Sequence, residues 1–377
     1  MNQSEFLEPS PVTLFLCGDV MTGRGIDQVL PHPVNPVLHE PDLRDARKYV
    51  ELAEKIHGPI QQRPASFQYI WGEALPELER AGVDLRIINL ETSITSKGTP
   101  WPDKSIHYRM HPRNIGSLSA ARINACALAN NHILDWGEVG LSDTLRTLNG
   151  AGIAHAGAGH DAEEAATPAV LDVAGKARVL LFSFGSITSG IPLEWRATTF
   201  CPGVNLLDDL STPTAARIAA QMRRVQQPAD LLIASIHWGG NWDYDIPCKQ
   251  IAFAHRLVEE GVTIVHGHSS HHMKTVEVFN GHLILYGCGD FLTDYEGISG
   301  YEMFGGDLAL MYLVEIDSSS GHLLSARLVP MQMRRFRLER TSATDARRFC
   351  DLLNMLEAPF GIHARLDEDS SMILEWQ

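Results

Sequence analysis

The stretch Val262-Thr263-Ile264-Val265-His266-Gly267-His268-Ser269-Ser270-His271-His272 decides how the rest of the chain is read. Four β-branched residues in a row form a short buried strand, and four of the 17 histidines follow within seven positions. Imidazole is the commonest metal-binding side chain, so a strand that empties into several of them marks a candidate ligand-bearing edge. A merely histidine-rich polar loop is the alternative, and the remaining strands discriminate between the two.

Four other apolar runs end in the same way. Thr13-Leu14-Phe15-Leu16-Cys17 leads into Gly18-Asp19, Arg86-Ile87-Ile88-Asn89-Leu90 into Glu91, and Asn124-Ala125-Cys126-Ala127-Leu128 into Asn130-Asn131-His132. Leu231-Leu232-Ile233-Ala234-Ser235-Ile236 ends at His237-Trp238-Gly239-Gly240. Helical patterns lie between such runs at Ile70–Ala81, Gly140–Leu148, Thr214–Val225 and Lys249–Glu259. Continuous apolar strands alternating with amphipathic helices predict an α/β fold whose sheets are covered by helices. Ligands in such sheets bind at the carboxyl ends of the strands, where all five polar endings fall. After about residue 270 the runs Leu283–Tyr286, Leu308–Ile316 and Leu323–Val329 carry turns and little helix, which predicts antiparallel pairing. Residues 27–70, rich in Pro and His and poor in periodicity, read as a long insertion near the site. Residues 345–377 read as a helix and short strand packed on a main domain spanning 12–340.

Composition narrows the function. Hydrophobic residues are 44% and charged residues 20%, an ordinary globular balance. The net charge of −15 argues against nucleic acid as a partner, because phosphate backbones attract basic surfaces. No window reaches the ~18–20 apolar residues of a membrane span, and Met1–Pro11, with Glu5 and Glu8, lacks a secretory h-region, so no direct membrane insertion is expected. The six cysteines show no C-x-x-C spacing, and a reduced cytoplasmic enzyme is the expectation.

The ligand types carry chemical meaning. Carboxylates, an amide oxygen and imidazoles without thiolate favour Mn²⁺, Zn²⁺ or Fe, and a site of this kind hydrolyses esters or amides with a water made acidic by the ion. His132, beside Asn131, is placed to donate a proton to a leaving group, with Asp135 orienting its second nitrogen. Alternatively, His132 and Asp135 cap the helix that follows. Lys104-Ser105-Ile106-His107-Tyr108-Arg109-Met110-His111 is locally cationic, and strand alternation places His107, Arg109 and His111 on one face. Lys104, Arg109, His111 and Arg24 are therefore substrate-facing candidates for an anionic group, with solvated surface charge as the bland reading. Trp238, Trp242 and Tyr244 could wall a pocket or simply pack.

The pieces Cys17-Gly18-Asp19-Val20-Met21, Asn89-Leu90-Glu91-Thr92, Ala129-Asn130-Asn131-His132-Ile133-Leu134-Asp135-Trp136-Gly137, His237-Trp238-Gly239, Gly267-His268-Ser269-Ser270-His271 and Leu285-Tyr286-Gly287-Cys288-Gly289-Asp290-Phe291 occur in this order. Over roughly residues 12–340 the chain resembles the CapA-like poly-γ-glutamate capsule biosynthesis proteins, themselves similar to calcineurin-like metallophosphatases. The resemblance implies a four-layer αββα sandwich of mixed sheets with one or two divalent ions between the strand ends. It implies Asp19, Glu91, Asn131, His237, His268 and His271 as ligands and His132 as proton donor. It also implies a phosphoester or γ-glutamyl-type amide as substrate and association with a polymer synthetase. A non-catalytic accessory role in poly-γ-glutamate assembly is the competing implication. Three positions depart from the pattern. Met21 stands where most calcineurin-like metallophosphatases place a histidine, which leaves one ion short of a ligand. His-His-Pro-His becomes His268-Ser269-Ser270-His271, and Gly-Asn-Phe becomes Gly289-Asp290-Phe291, where Asp290 either adds a carboxylate or caps a turn.

Overall fold

The computed structural model describes residues 11–298, 300 and 304–376, so the secretory-signal reading of Met1–Pro11 falls almost wholly outside the described residues. Two sheets face each other. The larger has ten strands and the smaller six, with two two-stranded ribbons beside them. Along the larger sheet the order is Ile362–Leu366, Met372–Trp376, Leu323–Met333, Leu308–Ile316, Val12–Val20, Leu85–Leu90, Ala125–Ala127 and Ala154–Ala156. The smaller runs Val276–Phe279, His282–Leu285, Ile264–His268, Leu231–His237, Ala177–Gly185 and Ala169–Val173.

Pairing type follows the sequence pattern. Strands separated by helices pair in parallel: Val12–Val20 with Leu85–Leu90, that strand with Ala125–Ala127, and Leu231–His237 with Ile264–His268. The turn-rich second half pairs antiparallel from Leu308 onward, but the expectation fails before that: His282–Leu285 pairs in parallel with Ile264–His268 and Asp290–Leu292 in parallel with Val12–Val20. Apolar residues of both sheets, including Leu14, Leu16, Ile87, Ile233, Ile264 and Leu285, form the core between them. Two further cores lie outside. One holds Phe15, Ile88 and Cys126 against helices including Gly137–Gly150, and the other holds Leu232, Ala234 and Val265 against Thr212–Val225 and Cys248–Glu259. The layering is therefore helix, sheet, sheet, helix. Thr212–Val225 buries Ala215, Ile218, Ala219 and Met222 on one face, with Ile218 and Met222 each contributing about 1.5–3 kcal/mol by burial. The Ser211 hydroxyl accepts from Thr214 N at its start.

Two readings from sequence need correction. Residues 27–70 are not irregular throughout: Arg47–His57 is a helix that buries Tyr49, Val50 and Ala53 in the outer core. The C-terminal segment contains two strands rather than one, and their hairpin extends the larger sheet beside Leu323–Met333.

Candidate metal centre

The parallel strands of both sheets end on the same edge, and their last residues converge. Asp19, His237 and His268 bring one ligand atom each within 4.8 Å of one another, and so do Asp19, Glu91 and Asp290. Asp19 belongs to both groups. All five side chains are buried.

Backbone geometry explains the convergence. Asp19 N donates to Gly289 O (3.0 Å), which brings the Asp290–Leu292 strand alongside Val12–Val20 with Asp290 opposite Asp19. A Cβ on Gly18 would lie 1.7 Å from Gly289 O, so only glycine permits this approach. Gly267 serves the same purpose against Leu285 O and Tyr286 O, where a Cβ would lie 2.5 Å from each. Its backbone is not turned; the turn falls at Ser269, whose φ is +107°.

A relay of hydrogen bonds sets the histidine tautomers. Cys17 O can only accept, so His266 Nε2 donates to it (2.8 Å). His266 Nδ1 then accepts from Ser235 Oγ (3.0 Å), and Ser235 Oγ accepts from His268 Nε2 (2.9 Å). The lone pair of His268 is left on Nδ1, 2.8 Å from His237 Nδ1 and 3.9 Å from an Asp19 oxygen. Burial lowers the pKa of both imidazoles well below the ordinary value, which keeps them neutral as ligands must be. On its other side His237 Nε2 lies 3.0 Å from Asn131 Oδ1.

The carboxylates face the opposite problem. Burial and the neighbouring Asp290 raise Asp19 to about 7, and burial with Asp19 raises Glu91 well above the usual carboxylate range. Burial also raises Asp290. Asp19 Oδ2 is buried with no hydrogen-bond partner among the described residues, while Asn89 Nδ2 holds Oδ1 (2.6 Å). An orphaned oxygen between neutral imidazoles and crowded carboxylates fits a divalent cation, whose charge relieves that repulsion.

Beside this cluster, His132 Nδ1 donates to Asp135 Oδ2 (2.6 Å), and its Nε2 lies 3.9 Å from Glu91. Lys104 Nζ donates to Asp135 Oδ1 and to Asn131 O (2.5 Å), and lies 3.0 Å from His132 Nδ1. Tyr108 stacks on the His132 ring at 3.8 Å and donates its backbone N–H to Asp135 Oδ2 (2.6 Å). His132 and Asp135 do not cap the next helix, whose start at Gly137 has no side-chain cap. Burial, then the Lys104 charge, lowers the His132 pKa well below its usual value.

The remaining expected site residues border these groups or turn away from them. His271 is outside both three-atom groups; its Nδ1 faces the Asp290 oxygens at 3.0 and 3.1 Å. Arg24, expected to face substrate, is buried and turned inward, donating to Glu40 (3.0 Å), Tyr49 (2.8 Å) and Asp294. Its φ of +42° directs the side chain there. Arg109 and His111 do not share a long strand face, because that strand is only Arg109–Met110. Arg109 packs over Trp136 at 3.6 Å, and His111 Nδ1 accepts from Arg113 N (3.0 Å). Trp238 is buried and donates to Tyr286 O (2.9 Å), so it packs rather than walling a pocket. Sequence reasoning undervalued Asp290 and missed Asn89, Asn130 and Tyr108. Asn130 Nδ2 donates to Asn89 Oδ1 (3.1 Å) and Leu90 O (2.8 Å), so the two amides position Asp19 and the His132 loop together. Their signal was adjacency to the motif residues.

Residues 13–295 match the model of the bacterial capsule synthesis protein family PGA_cap. The chain belongs to this family. It is 46% identical over 355 residues to a probable polyglutamine synthesis accessory protein of Mycobacterium tuberculosis, covering 94% of this chain and 93% of that one. It is 27% identical over 208 residues to the PGA biosynthesis protein CapA of Bacillus subtilis, covering 55% of this chain and 52% of that one. A solved phosphatase from Mycoplasma pneumoniae aligns over 87% of this chain and 96% of its own, at a TM-score of 0.48 and 11% identity. This PGA_cap protein carries no helix among the described residues that is long and apolar enough to cross a membrane.

Proposed function

We propose that this PGA_cap protein is a metal-dependent hydrolase acting on a small phosphoester or γ-glutamyl-type amide. The observation that carries the reading is His132, backed by Asp135, set against two ligand groups that share Asp19. Asp19, His237 and His268 would hold one divalent ion and Asp19, Glu91 and Asp290 a second, with Asn131 beside His237; Mn²⁺, Zn²⁺ or Fe suits such donors. The ions would supply Lewis-acid polarisation and a more acidic water. The protein's own residues do the rest. Asp135 fixes the His132 tautomer with the proton on Nδ1, so the neutral ring presents an unprotonated Nε2 on the Glu91 side, which takes a proton from the attacking water and passes it to the leaving group. Lys104 offsets the effect of burial on Asp135, whose carboxyl is nevertheless raised to about 6. A cytoplasmic setting beside a polymer synthetase is part of this proposal.

The test pairs elemental analysis of purified protein with turnover of a panel of phosphomonoesters, phosphodiesters and γ-glutamyl amides. His132→Gln is expected to lower kcat by about 10²–10⁴ with metal content unchanged. Equal turnover by the variant would sink the catalytic role.

A second reading is a non-catalytic accessory protein in polyglutamate assembly. Met21 supports it, since its sulfur accepts from Gly23 N (3.2 Å) where a further ligand is expected, and so does the accessory designation of the mycobacterial relative. Stoichiometric metal without turnover anywhere in the panel would favour it.

A further inference from the structure

His132 is tied to Asp135 at one ring atom. Its Nδ1 donates to Asp135 Oδ2 (2.6 Å), while Nε2 lies across the ring on the Glu91 side. A single hydrogen bond fixes Nδ1 but not the plane of the ring, because the torsion about the Cβ–Cγ bond of histidine is broad. Rotation about the line from Nδ1 to Oδ2 would carry Nε2 away from Glu91. A second contact has to set the plane.

Tyr108 supplies it. Its ring lies against the His132 ring with centroids 3.8 Å apart and planes 19° from parallel. Tyr108 is itself buried, and each of its polar atoms is held. Its N–H donates to Asp135 Oδ2 (2.6 Å), and its carbonyl accepts from Trp136 Nε1 (3.2 Å). Its hydroxyl shares a hydrogen bond with the Tyr295 hydroxyl (2.5 Å), and the Arg24 guanidinium lies over its ring at 4.8 Å. The next residues, Arg109–Met110, pair with Ser93–Ile94, and Ser93 Oγ donates to His132 O (2.8 Å). A Cβ on Gly23 would lie 2.7 Å from Arg109 N, so this ribbon seats directly on the turn before Arg24. The anchor also reaches the opposite flank of the candidate centre. There the Tyr295 ring meets His271 edge-on at 5.5 Å, and His271 Nδ1 faces Asp290 (3.0 Å).

We propose that Tyr108 is a positioning residue for His132: its ring sets the plane of the imidazole, and its hydroxyl, anchored on Tyr295, sets the plane of its own ring. A tyrosine that merely filled space would need neither the near-parallel stack nor the shared bond to Asp135. The kinetic consequence rests on the hydrolase reading; the geometric one does not. A displaced Nε2 slows proton transfer without changing how substrate or ion is bound, so the effect falls on kcat.

The test follows the His132 Nδ1 proton by NMR in protein carrying isotopically labelled histidine, alongside kcat, KM and metal content. The resonance is identified by its loss in His132→Gln. Tyr108→Leu removes the ring and should speed exchange of that proton with water by at least about tenfold. It should also lower kcat by about 10–100-fold, with KM and metal content unchanged. Tyr108→Phe and Tyr295→Phe both keep the stacked ring and delete the same hydroxyl bond. Each should speed exchange by about two- to tenfold, and the double variant no more than either alone. Native exchange in a folded Tyr108→Leu overturns the proposal, as does a loss of activity carried by KM or by lost metal rather than by kcat. Should Tyr108→Leu not fold, native exchange in Tyr295→Phe overturns it instead. If the native protein turns over nothing in the panel, the hydrolase reading fails by itself, and the exchange rates still decide the role of Tyr108.

Discussion

Ser235 lies between two imidazoles, and its hydroxyl decides which nitrogen of His268 carries the proton. Removing it lets the His268 ring take the other tautomer, which would protonate the nitrogen aimed at Asp19. Ser235→Ala is therefore expected to weaken metal binding by about 10–100-fold, read by competition against a chromogenic chelator, while the fold stays intact. Affinity equal to that of the native protein would show that the relay does not set the tautomer. Arg24 gives a prediction of a different kind. Its guanidinium is enclosed by Glu40, Asp294 and Tyr49, and its plane lies over Tyr49 at 4.0 Å and Tyr108 at 4.8 Å. Arg24→Leu would strand two buried carboxylates beneath the ring that stacks on His132. A loss of about 3–5 kcal/mol in urea denaturation is expected. A loss below 1 kcal/mol would mean that the carboxylates find protons or solvent without cost.

At the scale of elements, one buried carboxylate ties the 27–70 segment to the rest. Asp27 accepts from Val34 N (2.7 Å), His111 N (2.8 Å) and Asn114 Nδ2 (2.7 Å). Burial raises its carboxyl to about 6, despite those three bonds. The folded chain thus holds a proton that the unfolded chain has released, between about pH 4 and about pH 6. This contribution to stability is fully present below about pH 4 and is lost as pH rises through about 6. Asp27→Asn cannot titrate, so its stability deficit relative to the native protein should shrink by roughly 2–3 kcal/mol from pH 4 to pH 7. A deficit constant over that window, in denaturant titrations, would refute the assignment. The same segment shows where the sequence was legible and where it was not. Strands ending in Asp19, Glu91, Asn131, His237 and His268 were readable because buried parallel strands are continuous apolar runs and their ends carry ligands. Arg47–His57 was not, because prolines at 31, 33, 36 and 41 masked the spacing of Tyr49, Val50 and Ala53. Asp290 was undervalued because it begins its strand instead of ending it, and only the lateral pairing with Asp19 brings it to the site. Arg109 and His111 were misplaced because alternation was extended through a segment with just two strand residues.

For the whole molecule, the candidate centre is a joint between sheets. Asp19, Glu91 and Asp290 come from the larger sheet and its strand ends, and His237 and His268 from the smaller. An ion held by both binds the folded state and not the separated sheets, so mass action makes it a stabiliser of the sandwich. At a free Mn²⁺ concentration of about 100 Kd the gain is about 2.7 kcal/mol, or about 3 °C in Tm for a chain of this length. The net charge of −15 means that any cation will also stabilise weakly by screening, so the comparison must separate the two effects. Joint replacement of His237 and His268 by Ala keeps every carboxylate, and with them the general attraction, but removes the smaller sheet's ligands. Calorimetric scans should then show the full Mn²⁺ increment in the native protein and a smaller one in the double variant, where only the Asp19, Glu91 and Asp290 group remains. Asp19→Asn should also lose the increment, since it removes the one carboxylate common to both ligand groups. An increment of equal size in all three proteins would place the ion elsewhere and leave the five strand ends as a structural joint alone.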